Sequence, residues 1–119
     1  MTPMEEVENL LVAAIEETQY RTVASRAYFA AYNAVMRLAK LRGFEAEESA
    51  DDHRRVISYL KLQNNDLIRR IGFTRLPRLR TLRNRADYVL DVRFERGLAE
   101  EAVETARQII EWARSLTGE

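Results

Sequence analysis

Residues 22–42 read TVASRAYFAAYNAVMRLAKLR, and this stretch contains no Gly, no Pro and no acidic residue. Its apolar residues recur at intervals of three and four, which is the period of one face of an α-helix. That face comprises Val23, Ala27, Ala30, Ala31, Ala34, Leu38 and Leu41, and it is widened by Tyr28, Phe29, Tyr32, Val35 and Met36. Because so little polar surface remains, we predict a helix at the centre of a bundle, packed on several sides.

Towards the N-terminus, the sequence predicts a separate first helix. Thr2, Pro3 and Glu5 have the spacing of a capping box with proline at the first helical position. A second apolar stripe then follows at helical spacing, formed by Val7, Leu10, Leu11, Ala14, Ile15 and Thr18. We predict a turn at residues 19–21 between the first helix and the central one.

Towards the C-terminus, an acidic loop at residues 43–52 precedes three further helices, and no segment alternates as a strand does. The predicted fold is all-α, a single up-and-down bundle of four or five helices in one domain covering residues 1–119. The third helix is predicted from about residue 49 or 51 to Gly72 with a break around residues 64–65, the fourth from about 76 to 90, and the fifth from about 98 to 116.

The composition excludes several kinds of chemistry. The absence of Cys rules out a disulfide framework, a thiolate zinc site and a cysteine nucleophile, and a single histidine, His53, rules out a multi-histidine metal site. The sequence leaves open a metal site built from carboxylates alone but contains no motif for one, and we expect no metal and no cofactor. The first twenty residues carry five acids and no Lys or Arg, unlike a signal peptide. No apolar run approaches the length of roughly 18 residues that spans a bilayer. We expect a cytoplasmic protein with no membrane contact.

The formal net charge is zero, but the charges are segregated along the chain. The segments 1–20, 43–52 and 87–119 carry −5, −5 and −4, whereas 21–42 and 53–86 carry +5 and +9. Residues 67–86 contain seven arginines and no acid. One interpretation is that the basic helices lie beside the acidic first and fifth helices. The other is phosphate binding, for which the planar guanidinium group is well suited. The sequence leaves both open.

A few polar residues on the core-forming helices are candidates for function. Arg83 and Asp87 are four residues apart, which is the spacing of an intrahelical ion pair worth about a few tenths of a kcal/mol. The same spacing would also hold a half-buried arginine ready for an anion. His53, near a helix start, is either a packed or capping histidine or a proton-transfer residue.

Three motifs in order resemble small prokaryotic HEPN-domain proteins. They are SRAYFAAYNA at residues 25–34, HRRVISYL at 53–60 and LRNRADY at 82–88. The Ala-Asp-Tyr ending of the third is similar to the UPF0332-like subgroup. The order and spacing agree from about residue 20 to residue 113.

The resemblance implies a helical bundle that pairs as a homodimer and is often encoded beside a minimal nucleotidyltransferase, as toxin and antitoxin. Other members are metal-independent endoribonucleases whose motif is an Arg, often followed by Asn, with a His five residues after the Arg. Arg83 and Asn84 match its beginning, but Tyr88 stands where the motif has His, and Asn33 stands where the family's helix often has His. Tyrosine, with a pKa of about 10, is a poor base at neutral pH. By analogy with relatives, Tyr88 is a candidate for modification by the partner nucleotidyltransferase.

Two hypotheses follow. In the first, the chain is toxin-like and engages RNA, with Arg83, Asn84, Asp87 and Tyr88 as candidate catalytic residues and His53 as a secondary candidate. Its candidate phosphate contacts are Arg26, Asn33, Arg37, Arg80 and Arg85; the first three of these lie along one line of their helix. In the second, the chain is a non-catalytic homodimeric scaffold whose arginines face an acidic partner. The missing histidine favours the second, while the basic stretch is compatible with RNA binding in both.

Overall fold

The fold is all-α, as predicted. The computed structural model describes residues 2–118, apart from the side chain of Val7, and this part contains no strand. Its helices are α1 (Pro3–Leu41), α2 (Asp52–Lys61), α3 (Asp66–Arg70), a π-helical turn (Ile71–Arg75), α4 (Leu76–Tyr88) and α5 (Arg96–Thr117).

Helix α1 begins with the predicted capping box. The backbone N–H of Glu5 donates to Thr2 Oγ1 at 3.2 Å, and the backbone N–H of Thr2 donates to Glu5 Oε2 at 3.2 Å. Pro3 occupies the first helical position, where its missing N–H costs nothing.

The turn predicted at residues 19–21 is wrong, because the first two predicted helices are one continuous helix of 39 residues. No Gly or Pro interrupts residues 4–42, so no residue favours leaving the helix. Thr18 and Thr22 donate their hydroxyl protons to the carbonyl oxygens four residues earlier, at 3.0 Å each, so their side chains are satisfied within the helix. At a rise of about 1.5 Å per residue, α1 is roughly 58 Å long. It therefore accounts for the long dimension of the molecule, which is 61 Å.

The apolar stripe predicted on the first helix is not buried. Leu10, Leu11 and Ile15 are 72, 61 and 51% exposed, and Ala14 and Thr18 are exposed as well; the side chain of Val7 lies outside the described part of the chain. Within the described residues, the buried positions of α1 begin at Ala24. We call residues 3–18 the N-terminal arm.

The core lies between the second half of α1 and the other helices. Small residues of α5 allow that helix to lie close along α1, and the leucines of α4 fill the space beside them. The buried members include Ala24, Tyr28, Ala31, Val35, Leu38 and Ala39 of α1, Leu76, Leu79, Leu82 and Ala86 of α4, and Ala99, Ala102, Ala106, Ile109 and Ala113 of α5.

The region predicted as a third helix is α2, α3 and the π-helical turn. The break near residues 64–65 is confirmed, and Asn65 caps α3 by accepting the backbone N–H of Ile68 at 3.0 Å. Gly72 does not end the helix, contrary to prediction, because the π-helical turn leads directly into α4. Gly72 is required there for close packing. A Cβ at this position would lie 2.8 Å from Leu60 Cβ of α2.

The loop before α2 is fixed by a buried carboxylate. Asp52 accepts the backbone N–H groups of Glu47 and Glu48 at 3.1 and 2.9 Å and pairs with Arg55 at 2.7 Å. Burial opposes ionisation of this carboxyl group, but these donors outweigh it and lower the pKa of Asp52. The start of α2 is thereby held in place, and with it the neighbouring residue, His53.

Arg21 joins α1 to the end of α4 and to the following loop. Its Nη1 donates to the carbonyl oxygens of Arg85, Ala86 and Val89 at 3.1, 2.9 and 3.0 Å, which satisfies the last turn of α4. Its Nη2 donates to Val92 O at 2.5 Å and to Glu17 Oε1 at 3.1 Å. This side chain is only 13% exposed.

We expect Arg21→Met to destabilise the protein by about 2–4 kcal/mol, because several carbonyl groups lose a charged donor at once. Chemical denaturation measures the difference in free energy of unfolding from wild type. The matched control is Arg107→Met, whose side chain is 64% exposed. Arg107→Met is expected to lie within about 0.5 kcal/mol of wild type. Equal stability of the two variants would contradict this role for Arg21.

Candidate functional site

A groove of about 710 Å³ opens between α1, the start of α2 and α4. Its α1 wall carries Ser25, Tyr28 and Tyr32, whose spacing of three and four residues aligns them on one helix face. Arg83 and Asp87 of α4 and His53 at the start of α2 also line the groove. We call this the first groove.

Arg83 is held in the first groove by an ion pair and two aromatic rings. Its Nε lies 2.9 Å from Asp87 Oδ2, which also accepts the hydroxyl proton of Ser25 at 3.2 Å. Its Cζ lies 5.7 Å from the centre of the Tyr28 ring and 5.4 Å from that of Tyr88. Both separations are within the range of cation–π attraction. The sequence left two interpretations of the Arg83–Asp87 spacing, an intrahelical ion pair and an arginine held ready for an anion. The structure is compatible with both, because the ion pair forms and the Arg83 side chain still lines the groove.

His53 reaches the first groove from a different helix. Its Nδ1 lies 2.5 Å from the hydroxyl oxygen of Tyr28, and its ring stacks on that of Tyr32, with 4.1 Å between centres and 13° between planes. Burial lowers the pKa of His53, and the charges of Arg80 and Arg83 lower it further, while Asp52 acts in the opposite direction. Its imidazole is therefore neutral at pH 7.

Tyr28 remains protonated throughout the neutral range. Burial raises the pKa of its hydroxyl group to about 12, although Arg80 and Arg83 oppose the shift. Its hydrogen bond with His53 is thus one between neutral partners, and which of the two donates depends on the imidazole tautomer.

The remaining members of the predicted catalytic set lie beside the first groove. The Asn84 side chain lines a separate, second groove between α2 and α4, and its Oδ1 lies 3.5 Å from Nη1 of Arg83. Tyr88 is 67% exposed and contributes its ring to Arg83. The structure therefore brings Arg83, Asp87 and His53 together, with Asn84 and Tyr88 at the margin.

The predicted phosphate contacts are spread over several surfaces. Arg26 is exposed and lines the first groove, whereas Arg80 lines the second. Asn33 is exposed and donates its amide to Phe29 O at 3.0 Å. Arg37 lies with residues of the C-terminal half of α5, and Arg85 is exposed outside both grooves.

Ser25, Tyr28 and Tyr32 line the first groove, although the sequence alone did not assign them to the candidate site. In the sequence, Ser25 stands out only as part of a family motif, and the two tyrosines only as part of an apolar helix face. Their three- and four-residue spacing, combined with their polar atoms, is the signal that could have identified them. Their role depends on α2 and α4 packing against that face, which the helical period alone does not give.

Two kinds of feature are missing from residues 2–118. This part of the chain contains no group of three or more His, Cys, Asp or Glu residues positioned to hold a metal ion. Among its helices, none is both long enough and apolar enough to cross a membrane.

The chain matches the model of a known protein family. The family model described as HEPN domain matches residues 8–116, which is most of the chain. No curated protein and no solved structure matches it.

Proposed function

The chain belongs to the HEPN domain family, and from that premise we propose that it engages RNA at the first groove and cleaves it without a metal ion. The observation that carries the proposal is that Arg83 and His53, thirty residues apart in sequence, line one groove. They supply the two functions that such chemistry needs, a fixed positive charge and a group that moves a proton.

Arg83 is suited to the phosphate. Asp87 holds the Nε edge of its guanidinium, and the rings of Tyr28 and Tyr88 limit its movement, so little side-chain entropy remains to be lost on binding. In the proposed reaction it stabilises the charge that accumulates on the phosphate oxygens in the transition state.

His53 is suited to proton transfer. In the tautomer that donates Nδ1–H to the Tyr28 oxygen, Nε2 carries a free lone pair. Nε2 takes the proton of the ribose 2′-hydroxyl, whose oxygen forms a bond to the adjacent phosphorus. The bond from phosphorus to the 5′-oxygen breaks, and that oxygen takes a proton from solvent. The products are a 2′,3′-cyclic phosphate and a 5′-hydroxyl end.

In this proposal, His53 takes the role of the family's motif histidine, which is replaced by Tyr88 in this chain. The position five residues after Arg83 lacks the motif histidine, but His53 brings an imidazole to the same groove from α2. Incubation of the purified protein with end-labelled RNA in EDTA tests the proposal. Cleavage that leaves 2′,3′-cyclic phosphate ends is the expected result, and intact RNA would overturn it.

The biological setting is a further part of the proposal. We propose a UPF0332-like subgroup, on the Ala-Asp-Tyr sequence at residues 86–88, and a toxin-side role in the cytoplasm beside a minimal nucleotidyltransferase. Tyr88, 67% exposed, is accessible to modification by such a partner. The presence of a nucleotidyltransferase gene beside this one tests the toxin-side role. Incubation with the protein that this neighbouring gene encodes and a nucleoside triphosphate, followed by mass spectrometry, tests the modification of Tyr88.

The alternative is a non-catalytic homodimeric scaffold, and the exposed apolar surface favours pairing. Leu10, Leu11 and Ile15 of the N-terminal arm are more than half exposed, as is Phe29 beside the first groove. Large exposed apolar patches mark interaction surfaces in proteins. A homodimer is also compatible with RNA cleavage. The two proposals therefore differ in whether the protein cleaves RNA, and both include a homodimer.

We expect the protein to sediment at twice its chain mass, which is 13.9 kDa. A double Leu10→Gln and Leu11→Gln variant is expected to weaken the dimer at least about tenfold. The matched control is Leu62→Gln, which removes an 83% exposed leucine from the loop after α2. Sedimentation equilibrium measures the dissociation constants. A monomeric wild type, or equal weakening in the control, would contradict pairing through the arm.

A further inference from the structure

The second groove, of about 340 Å³, runs between α2 and α4. The cationic and hydrogen-bonding residues that line it are Arg54, Ser58 and Lys61 of α2 and Arg80, Thr81 and Asn84 of α4. Within residues 2–118, no carboxylate belongs to its lining. Its chemistry is therefore that of an anion site.

The two grooves are neighbours because of helical geometry. The residues of α4 that line the second groove recur at the three- and four-residue spacing of one helix face; they are Pro77, Arg80, Thr81 and Asn84. Arg83 lies one residue before Asn84, which places it about 100° around the helix and in the first groove. The same relation holds on α2, where His53 faces the first groove and the next residue, Arg54, lines the second.

Arg80 stands between the grooves. Its side chain lines the second groove, and its charge acts on His53 and Tyr28 in the first. In the part of the chain that the structure describes, neither Arg80 nor Lys61 has a carboxylate within ion-pairing distance. Lys61 is instead held 5.2 Å above the ring of Phe73. Arg54 pairs with Asp51 but is 75% exposed. Such an exposed pair is weak and exchangeable.

We propose that the second groove binds a backbone phosphate of single-stranded RNA, one or more nucleotides away from the phosphate held at Arg83. This inference rests on the proposed function, because it extends the same RNA strand from one groove to the other. Arg80 links the two positions, and Lys61 and Arg54 supply charge at the far end.

The lining favours a nucleic-acid backbone over a protein partner. Protein interfaces need apolar anchors at their centre, whereas the exposed side chains here are basic or hydroxyl- and amide-bearing, and Ile57 is half-buried. Ser58 and Asn84 add neutral donors, which commonly contact phosphate and sugar oxygens.

The test is fluorescence anisotropy with 2′-O-methyl RNA, which lacks the attacking hydroxyl and is not cleaved. Oligonucleotides of two and eight nucleotides are compared for wild type and for a double Arg54→Gln and Lys61→Gln variant. The matched control is Lys40→Gln, an exposed lysine in the last turn of α1 outside both grooves.

We expect the double variant to bind the octamer about tenfold more weakly than wild type and the dinucleotide unchanged. The slope of log K against log salt should fall by about 0.7 for each phosphate that the protein no longer neutralises. Octamer binding by the double variant that equals wild type would overturn the subsite.

Arg83→Ala separates this inference from the proposed function. If Arg83→Ala abolishes cleavage while the double variant binds the octamer as wild type does, the subsite is wrong and the proposed function stands. If only the double variant weakens octamer binding, and Arg83→Ala leaves cleavage unchanged, the subsite stands and the proposed function fails. Binding of polyglutamate but not of RNA at low salt would show that the groove takes acidic protein, and would overturn the RNA subsite.

Discussion

Arg83→Ala is expected to reduce the rate of RNA cleavage by about 10²–10³-fold, the loss that follows when one fixed donor to a charged transition state is removed. The Arg83 side chain is 28% exposed, and in the variant Asp87 keeps the hydrogen bond that it accepts from Ser25, so the variant should remain folded. The substitution should lower kcat more than it changes KM, because the charge that Arg83 would stabilise develops in the transition state.

Two further variants make this result specific. Arg83→Lys keeps the charge but loses the planar fork and the Nε contact with Asp87, so we expect activity between those of wild type and Arg83→Ala. Arg69→Ala removes an exposed arginine from the same basic stretch, outside both grooves, and should cleave as wild type does. If Arg69→Ala loses as much activity as Arg83→Ala, the effect is one of overall charge and the site is wrong.

His53→Ala is expected to lower the cleavage rate by about 10²–10⁴-fold, the usual contribution of a general base. The pH profile of wild type gives the more direct evidence. In the proposed reaction His53 acts when neutral, and burial together with Arg80 and Arg83 lowers its pKa below the ordinary value of 6.5. The rate should therefore be level at neutral pH and fall only as the pH drops through that lowered pKa.

Arg80→Gln tests the identity of the titrating group. Removing a positive neighbour makes protonation of the imidazole easier, so the pKa of His53 rises and the acidic fall in rate moves to higher pH. In His53→Ala the residual rate should no longer show this fall. If the rate of Arg80→Gln falls at the same pH as that of wild type, or if His53→Ala still shows the fall at low pH, His53 is excluded as the base.

The helical period predicted only part of the core contributed by residues 22–42: Ala31, Val35 and Leu38 are buried. Phe29 and Leu41, which belong to the same predicted face, are 67 and 61% exposed. In α4 and α5 the buried residues do follow helical spacing; they are Leu76, Leu79 and Leu82, and Ala102, Ala106, Ile109 and Ala113. The same reasoning failed for the N-terminal arm, whose Leu10 and Leu11 have equally good spacing and stay exposed. Amphipathic spacing shows that a face is suited to burial, but not that the same chain provides the surface to bury it.

Two predicted helix boundaries were wrong, each for a different physical reason. At residues 19–21 we predicted a turn between two apolar stripes, but no residue there disfavours the helical backbone. At Gly72 the residue type suggested an end, yet the absent side chain is used for contact with Leu60 of α2. A glycine marks either a change of direction or a close approach, and only the packing distinguishes the two.

The grouping of residues at the candidate site could be predicted from the sequence only in part. Arg83 and Asp87 were identified because they are close in sequence and lie on one helix. His53 was a secondary candidate, since its relation to Arg83 depends on how α2 docks against α1 and on the buried Asp52 that fixes the start of α2. Arg54 and Lys61 carry no local motif, and their grouping with Arg80 arises only when two helices lie side by side.

The π-helical turn at Ile71–Arg75 leads directly into α4. It therefore sets the direction in which each side chain of α4 points around the helix axis. A π-helical turn accommodates one residue more than the α-helix would in the same length. Loss of one residue from it would rotate the register of α4 by about 100°, the angle between successive residues. Arg83 would then leave the first groove while the leucines of α4 turned out of the core. Through this turn, insertion or deletion of a single residue would change the stability of the bundle and the chemistry of its groove together.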